Sequence, residues 1–343
     1  MYKKIITFLL VTSAFARFDF AVMAEPWLAS EGEPLLQEAE VAFKDPSAGP
    51  IDQNGVRLAF YNIEMFTDGI KDGKYRNEEL ALTQARDAAG IIDELAADIL
   101  VFSEIENARA LRLLNESLAE PYPNGYVVTF GSGGSRVEKM NAAMLSRFAP
   151  ESVNEIDFGP LTGPGRPTRG IFRAIFSLGE DRYLLLYAAH LKSNWGSVDK
   201  NYAQRYHAMT ALQADLRTLR EAYPDRVWES VLLADFNSEP GNERFAGDPT
   251  WSVLEDWVDL WAEHPDVDEL HTLPTRSGDP ELNFPPALFD RALVQPELRE
   301  APWITSLPSV IARGSDTNNI HTKPGNNGHV SDHYPIYITL TRE

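Results

Sequence analysis

The sequence predicts an α/β protein in which two mixed β-sheets pack face to face and helices cover the outside. Short segments rich in β-branched and aromatic residues alternate with amphipathic helical segments, and several strand-like segments follow one another without a helix between them. Loops rich in Gly, Pro, Asn and Ser separate these segments, and no fixed-period repeat is visible. No linker divides the region 55–343, so we expect one large domain there.

Hydrophobic periodicity defines the individual elements. The strand at 56–64 (VRLAFYNIE) is rich in β-branched and aromatic residues, and the helix at 78–96 places apolar residues at helical spacing. Further strands are expected at 98–105, 126–130, 142–147, 170–178, 183–191, 231–237, 289–294 and 334–341. Further helices are expected at 108–118 and 202–222, and residues 37–43 are expected to form a short helix.

Residues 1–24 have the pattern of an export signal. Lys3 and Lys4 precede a mostly apolar segment at 5–16, and small-residue cleavage patterns follow at 14–16 and 22–24. We therefore expect a secreted or periplasmic protein; an amphipathic first helix or a membrane anchor is the alternative. An acidic segment, 25–54, precedes the domain at 55–343. After the leader no apolar run reaches the roughly 20 residues of a membrane span, so the mature chain is not expected to insert stably into a membrane.

The composition excludes several classes of function. The chain has 343 residues, with 31 Lys and Arg against 51 Asp and Glu, a formal charge of −20, and it contains no cysteine. The absence of cysteine excludes disulfides, thiolate nucleophiles and cysteine-based zinc or iron–sulfur sites. The acidic balance argues against a protein that coats DNA by bulk electrostatics, because that mode needs a basic surface. A local basic pocket is compatible with this charge.

Six apolar segments end abruptly in polar side chains. One such residue is usually a turn residue or a helix cap, but six in one chain point to a shared site, because strand ends converge on one edge of an α/β sheet. The polar side chains, in chain order, are Asn62 and Glu64; Glu104, Glu106 and Asn107; His190, Lys192, Ser193 and Asn194; Asp235 and Asn237; Asp290 and Arg291; and Asp332 and His333.

These residue types fit one chemistry. Oxygen and amide ligands without cysteine suit Mg²⁺, Mn²⁺ or Ca²⁺. Two histidines near carboxylates suit proton transfer, and nearby lysine and arginine suit an anionic substrate. Together they indicate metal-assisted attack of water on a phosphate ester.

The ordered motifs resemble those of the endonuclease/exonuclease/phosphatase superfamily, which has the DNase-like fold. The motifs are YNIE at 61–64, SEIE at 103–106, AHLKS at 189–193, ADFN at 234–237, FDR at 289–291 and SDHYP at 331–335. The resemblance covers roughly residues 55–342 and implies a four-layer α/β sandwich. It also implies a metal site in which Glu104 is the principal ligand, with Asn62 and Asp332 close to the same ion or to the phosphate. Mg²⁺ or Mn²⁺ is the expected ion, and Ca²⁺ is an alternative.

The resemblance further implies the residues that move protons. Asp235 and Asn237 would orient the attacking water and the scissile phosphate. Asp290 would fix the tautomer of His333 and favour its charged form. His333 would then act as a base toward water or hold a phosphoryl oxygen, and His190 would be an acid to the leaving oxygen or a hydrogen-bond donor.

One position departs from the animal DNase branch of this superfamily. Gly170 stands where that branch has a glutamate that orients the histidine corresponding to His190. The neighbouring arginines add positive charge instead; a solvated or ion-paired position is the alternative for both of them. The residues that we assign to substrate binding are Arg169, Arg173, Lys192 and Asn194.

Several other residues have open roles. Trp195 follows the His190 motif; it is expected to pack against the neighbouring helix, and stacking on a base or contact with a membrane are the alternatives. Arg205 either supports the site or forms a surface salt bridge. His321 and His329, in the loop before Asp332, are expected to have no role, and contacts with a metal ion or a phosphate are the alternative.

The sequence as a whole favours a divalent-metal phosphodiesterase, secreted or periplasmic and monomeric, that cleaves DNA or RNA. The acidic charge leaves a phosphomonoesterase or a sphingomyelinase-like enzyme as an alternative, because a polyanion is repelled unless basic residues are locally concentrated. The lipid alternative needs an exposed aromatic hairpin, and the sequence has no convincing run of that kind. A non-catalytic binding module is the third interpretation.

Overall fold

The computed structural model describes residues 34–51, 55–74, 76–128, 140–276 and 285–343. The export signal predicted at 1–24 lies outside the described residues and stays a prediction. Within the described ranges, fifteen strands form two β-sheets, and three α-helices lie on their outer faces. The predicted fold class, an α/β four-layer sandwich of two mixed sheets with helices outside, is confirmed.

The strands follow the order of the chain. They are β1 (Leu35–Glu38), β2 (Glu40–Lys44), β3 (Gly55–Phe66), β4 (Ile99–Ile105), β5 (Asn124–Val128), β6 (Asn141–Ser146), β7 (Ser152–Asp157), β8 (Ile171–Gly179), β9 (Arg182–His190), β10 (Val227–Asp235), β11 (Val258–Asp259), β12 (Asp290–Val294), β13 (Trp303–Thr305), β14 (Ser309–Val310) and β15 (Ile336–Arg342). The first sheet has the order β1-β7-β8-β9-β10-β12-β11, and the second has the order β13-β15-β3-β4-β6-β5-β2 with β14 paired to β15. The pairs β3/β4 and β9/β10 are parallel, and the other pairs are antiparallel.

The helices form the outer layers. The α-helices are α1 (Glu78–Leu95), α2 (Ala108–Glu116) and α3 (Val198–Ala222), and short 3₁₀ turns cover Glu243–Phe245, Pro249–Leu254, Leu260–Glu263, Val267–Glu269 and Pro296–Arg299. Asn77 caps α1 and Asn107 caps α2, since each side chain accepts a hydrogen bond from a backbone N–H of the first turn. Helices α1 and α2 pack on the second sheet, and α3 packs on the first sheet.

The inner faces of the two sheets share one apolar core. Phe60 from the second sheet, Phe172 from the first sheet and Trp261 from a 3₁₀ turn are almost fully buried in it. Burial of each such side chain contributes about 1.5–3 kcal/mol. This core fixes how the sheets face each other, so strand ends from both sheets meet at one edge of the sandwich.

The register of the strands places the predicted site residues at that edge. Asp235, the last residue of β10, is opposite His190 in β9 and opposite Asp290, the first residue of β12. Strand β15 runs antiparallel to β3, so the segment that precedes it returns His333 to the end of β3. Parallel and antiparallel neighbours therefore contribute residues to the same edge.

Three polar residues at these strand ends have left-handed backbone conformations. The φ angles are 47° at Glu64, 68° at Glu104 and 51° at Asn237. Residues other than glycine adopt this region rarely, at a cost of about 1–3 kcal/mol, and such residues cluster at functional sites. At Glu64 and Glu104 they coincide with shifts in the strand register, and Asn237 follows the end of β10.

The prediction of a helix at 37–43 is wrong. This segment forms the edge strands β1 and β2, which pair with β7 and β5, because strand pairing overrides a weak local preference. Helix α3 begins at Val198, about one turn before the predicted start at 202. None of the helices in the described part of the chain is both long and apolar enough to span a membrane.

Candidate active site

His333 and Asp290 form a buried pair. Asp290 Oδ2 lies 2.7 Å from His333 Nδ1, and both side chains are almost inaccessible to solvent. Burial by itself would lower the pKa of His333, but the charges of Asp290 and Asp235 outweigh it and raise the pKa well above its usual value. A charged imidazole carries protons on both nitrogens. Nδ1–H therefore donates to Asp290, and Nε2–H faces Asp235 Oδ2 at 3.8 Å.

Asp235 lies between two imidazole rings. Its Oδ2 is 3.3 Å from His190 Nε2 and 3.8 Å from His333 Nε2. Asn62 Nδ2 donates to the same oxygen at 3.1 Å, and the backbone N–H of Asn237 donates to Oδ1 at 2.9 Å. Burial raises the pKa of Asp235 to about 7, partly opposed by His333. The carboxylate is thus held in one orientation by Asn62 and Asn237.

His190 is buried and neutral. Burial, and then the positive charges of Arg169 and His333, lower its pKa well below the usual value. Since Nε2 faces the Asp235 carboxylate, the neutral ring carries its proton on Nε2. Nδ1 is buried without a hydrogen-bond partner among the described residues and lies 3.7 Å from Glu104 Oε1.

Glu64, Glu104 and Asp332 form an acidic half of the site. The backbone N–H of Met65 donates to Glu104 Oε2 at 2.8 Å, and that of Asp332 donates to Glu64 Oε2 at 2.9 Å. Burial raises the pKa of Glu64 to about 7 and that of Asp332 to about 6, and it also raises the pKa of Glu104. The charge of Asp332 further disfavours ionisation of Glu104, and that of Glu64 disfavours ionisation of Asp332. The protein alone therefore does not fully compensate the cost of burying the negative charges of these carboxylates.

This donor set fits a divalent cation. Buried carboxylates with raised pKa values are the environment that a bound cation would stabilise, and oxygen donors suit Mg²⁺, Mn²⁺ or Ca²⁺. Glu104 and Asp332 would hold the ion. Asn62, the third predicted ligand, connects the two halves of the site, because its Nδ2 donates to Asp235 and its Oδ1 accepts from the backbone N–H of Glu64 at 3.3 Å.

Two groups in the described part of the chain bring three ligand atoms within 4.8 Å of one another. One consists of Asp235, Asp290 and His333, whose atoms are already bound to one another or face each other across the site. The other consists of the half-buried Asp68 and Asp72 and the buried Glu106, which follows the end of β4. Acidic residues of the protein could thus bind a metal ion in more than one place.

Glu64 contacts two residues, His329 and Arg276, that had no predicted role. His329 is fully buried, and its Nε2 donates to Glu64 Oε2 at 2.8 Å while its Nδ1 accepts from the backbone N–H of Asp316 at 3.0 Å. Arg276 Nη1 lies 3.9 Å from the same Glu64 oxygen. The expectation that His329 has no role is wrong, because His329 has a structural one. It holds the Glu64 carboxylate, which in turn accepts a hydrogen bond from the backbone N–H of Asp332. His321 is exposed, as expected for a residue without a role.

Arg169 and Lys192 supply positive charge next to this acidic half. The charge of Arg169 acts on Glu104 and Asp235, and its Nη1 lies 3.4 Å from the carbonyl oxygen of Leu191. Burial, and then the charge of Arg169, lower the pKa of Lys192 to about 8. The structure therefore brings both residues close to the centre, as a phosphate-binding role requires.

The assignment of Arg173 to substrate binding is wrong. Its side chain points to the helix-covered face of the first sheet, where Nη1 contacts Asp215 Oδ1 at 2.9 Å and Nη2 donates to Asn154 Oδ1 at 3.0 Å. The Arg173 side chain is 6 % exposed, and its charge is neutralised by the ion pair with Asp215 of α3. The ion-paired alternative applies to this residue.

Asn194 and Arg205 brace the turn that carries Asn237. Asn194 Nδ2 donates to the Asn237 carbonyl oxygen at 2.9 Å, and Arg205 Nη1 donates to the carbonyl oxygen of Lys192 at 2.8 Å and to Asn194 Oδ1 at 3.1 Å. Arg205 and Asp248 form an ion pair at 2.8 Å whose side chains are both 0 % exposed. The surface salt bridge considered for Arg205 is therefore excluded, and Asn194 contributes by positioning Asn237.

Arg205→Ala is expected to lower the free energy of unfolding by about 3–5 kcal/mol, because it leaves the buried Asp248 carboxylate without its partner. Urea unfolding followed by circular dichroism measures the change. The matched control is Arg220→Ala, also in α3, whose pair with Glu297 at 3.7 Å is half exposed and contributes at most about 1 kcal/mol. An equal loss in the two variants would contradict a structural role for the buried pair.

Gly170 has no room for a side chain. A Cβ atom there would collide with the carboxylate of Glu155, a buried residue of β7. Ile171 is opposite Ala189 in the ladder, so Gly170 lies beside His190 at the end of β9. At the position that departs from the DNase branch, Gly170 thus leaves room for the carboxylate of Glu155 from the neighbouring strand β7. The sequence analysis did not predict this contact.

The chain belongs to the endonuclease/exonuclease/phosphatase family, whose model matches residues 59–333. The resemblance recognised in the six motifs is thereby confirmed, and membership supports a phosphoric ester hydrolase. No curated protein matches the chain.

Solved structures share the fold at low sequence identity. Truncated Caenorhabditis elegans TDP2 is 17 % identical with a TM-score of 0.54, covering 84 % of this chain and 98 % of that one. D. rerio TDP2 complexed with single-strand DNA product is 16 % identical with a TM-score of 0.55, covering 84 % and 99 %. SmcL is 15 % identical with a TM-score of 0.56, also covering 84 % and 99 %. At these identities the similarity concerns the fold alone.

Proposed function

We propose that the protein is an exported, divalent-metal-dependent phosphodiesterase that hydrolyses nucleic acid by attack of water. The observation that carries the proposal is the position of the Asp235 carboxylate between two imidazoles, one charged and one neutral, next to the acidic half of the site. Such an arrangement provides a proton acceptor, hydrogen-bond donors and a place for a cation around one phosphate group.

The charged His333 serves as a donor to the phosphate. Asp290 holds Nδ1–H, and the remaining Nε2–H points into the site toward Asp235. A protonated imidazole is not a base, so of the two roles considered for His333 the geometry favours holding a phosphoryl oxygen. Donors aimed at the phosphate stabilise the charge that grows on its oxygens in the transition state.

Asp235 and His190 act on the attacking water and on the phosphate. The Asp235 carboxylate, fixed by Asn62 and by the backbone of Asn237, orients the water and accepts its proton. His190, neutral with a proton on Nε2, donates a hydrogen bond and is a poor acid, so the leaving oxygen takes its proton from solvent water as its bond to phosphorus breaks. Asn237 remains available to hold the phosphate, although its Nδ2 lies 3.2 Å from the carbonyl oxygen of Leu191.

Glu104 and Asp332 would hold the cation, with Glu64 fixing Asp332 through its backbone. Bound there, Mg²⁺ or Mn²⁺ supplies Lewis-acid stabilisation of the phosphate. Ca²⁺ would fit the same oxygen donors.

Nucleic acid is the proposed substrate. Arg169 and Lys192 concentrate positive charge at the centre of an otherwise acidic protein, which is what a polyanionic phosphodiester needs. A structure of the same fold, D. rerio TDP2, is complexed with single-strand DNA product. Export is supported by the amino-terminal sequence pattern, and a secreted or periplasmic enzyme would meet nucleic acid outside the cell.

A substrate panel tests the proposal. Purified protein is expected to cleave plasmid DNA, RNA and bis-p-nitrophenyl phosphate, to lose turnover in EDTA, and to recover it when excess Mg²⁺ or Mn²⁺ is added. Full activity in the chelator would contradict the metal requirement. Hydrolysis of p-nitrophenyl phosphate or sphingomyelin alone would replace the nuclease with the phosphomonoesterase or the lipid phosphodiesterase.

A further inference from the structure

Trp195 is exposed beside the site. Its relative exposure is 79 %, the highest among the large hydrophobic residues of the described chain that lie at the surface. The expected packing of this residue against the neighbouring helix is therefore wrong. An exposed indole ring offers a large apolar face on which an aromatic ligand can stack, so the groups around it decide whether it binds one.

The backbone that carries Trp195 is held firmly to the catalytic turn. Lys192 Nζ donates to the carbonyl oxygens of Trp195 and Ser193, each at 2.9 Å. Asn194, the residue before Trp195, donates to the carbonyl oxygen of Asn237, and the buried Arg205 binds the carbonyl oxygen of Lys192. Trp195 follows His190 by five residues, which limits the separation of their Cα atoms to about 18 Å. The held backbone and this upper limit keep Trp195 on the segment that leads directly out of the active site, where its exposed ring can meet a substrate longer than one nucleotide.

The surroundings of Trp195 are cationic in an acidic protein. Lys192 is close enough to both Arg169 and Lys200 for their charges to lower its pKa. Lys200 also lines an open cavity of about 360 Å³ together with Arg166. An exposed aromatic ring beside several cations is the combination that binds single-stranded nucleic acid, because bases stack on the ring while phosphates contact the cations.

We propose that Trp195 binds a nucleobase of the substrate by stacking, while Lys200 contacts a flanking phosphate. Lys192, whose ammonium is bound within the turn, adds positive charge that attracts the phosphate. This inference rests on the proposed nuclease function and specifies how the substrate is recognised. A membrane surface is a poorer fit, because within the described segment 191–202 only Val198 joins Trp195 as a large exposed apolar side chain, whereas interfacial binding needs a broad apolar face.

The test compares substrates with and without bases. A single-stranded oligothymidylate and an abasic oligonucleotide of equal length are cleaved by wild type, Trp195→Ala and Trp195→Phe. Trp195→Ala is expected to lower kcat/KM about tenfold on the oligothymidylate, the scale of one base–aromatic stack, and to leave the abasic substrate unchanged. Trp195→Phe keeps most of the activity because it keeps a stacking surface. Equal losses on both substrates, or no loss, would overturn the proposal.

Ile304→Ala is the matched control, since Ile304 is 52 % exposed on β13, outside the active site, and should change neither rate. Binding is measured separately in EDTA by quenching of tryptophan fluorescence, so the inference is tested even if wild type cleaves nothing, an outcome that would defeat the proposed function alone. Quenching by oligothymidylate that Trp195→Ala removes supports the stack; the same quenching in both proteins overturns it. Quenching by phosphatidylcholine–phosphatidylglycerol vesicles but not by oligothymidylate would also overturn it, in favour of a membrane contact.

Discussion

His333→Ala is expected to lower kcat for phosphodiester hydrolysis at least about 100-fold. The variant removes the only imidazole in the site whose pKa is raised, and with it the positive charge that Asp290 and Asp235 maintain in a buried position. Neither water nor a neighbouring side chain reproduces a fixed cationic donor there, because His190 is neutral and Arg169 Nη1 is directed to the carbonyl oxygen of Leu191. The rate is measured with bis-p-nitrophenyl phosphate in excess Mg²⁺.

Asp290→Asn tests whether the two residues act as a unit. An amide at this position removes the negative charge that keeps His333 protonated, so the single variant should also lose most of the activity, and the double variant should be no slower than His333→Ala. His321→Ala, in the exposed loop before Asp332, is the control and should retain full activity. If the losses in kcat of the two single variants multiplied in the double variant, the two residues would not act as a unit. A kcat of His333→Ala within a few-fold of wild type would also contradict the proposed role of the pair. Melting temperatures establish that each variant is folded.

The strands that carry the site were predictable because their signals are local. Each ends in a polar residue directly after an apolar run, as at Glu104 and Asp235, and such a pattern needs no knowledge of distant contacts. The edge strands β1 and β2 lacked this signal. Their residues are mostly exposed, and pairing with β7 and β5 rather than their own periodicity makes them strands.

The site was predicted as a set of residues, but not as a set of contacts. Arg173 illustrates the limit: strand β8 is apolar on both faces, so the sequence does not show that Phe172 faces the core while Arg173 faces α3. The contact between His329 and Glu64 joins residues 265 positions apart, and no local pattern announces it. Trp195 was expected to be buried, because the sequence cannot show that the turn before α3 directs its side chain away from the helix.

Glu104→Gln is expected to reduce hydrolysis at least about 100-fold and to separate the effect of the cation from the effect of burial. In the metal-free protein the buried carboxylate is disfavoured, as its raised pKa shows, so at neutral pH the uncharged amide should melt at or above the temperature of wild type. With excess Mg²⁺ the order of the two melting temperatures reverses, and wild type melts above the variant. A ligand present at 100 times its dissociation constant stabilises the folded state by about 2.7 kcal/mol, and the variant should lose most of this stabilisation.

The control for this prediction is Glu116→Gln, the same chemical change at an exposed position of α2, which should respond to Mg²⁺ as wild type does. Differential scanning calorimetry with EDTA and with Mg²⁺, together with the Mg²⁺ dependence of hydrolysis, provides both readouts. If Glu104→Gln were stabilised by Mg²⁺ as strongly as wild type and required no more of the ion for half-maximal rate, Glu104 would not be a ligand. The cation would then have to bind elsewhere, and the group Asp68, Asp72 and Glu106 would become the next position to test. Compared with wild type, Glu104→Gln is expected to melt at the same or a higher temperature in EDTA and at a lower temperature in Mg²⁺. A merely structural role for this buried carboxylate cannot produce both results.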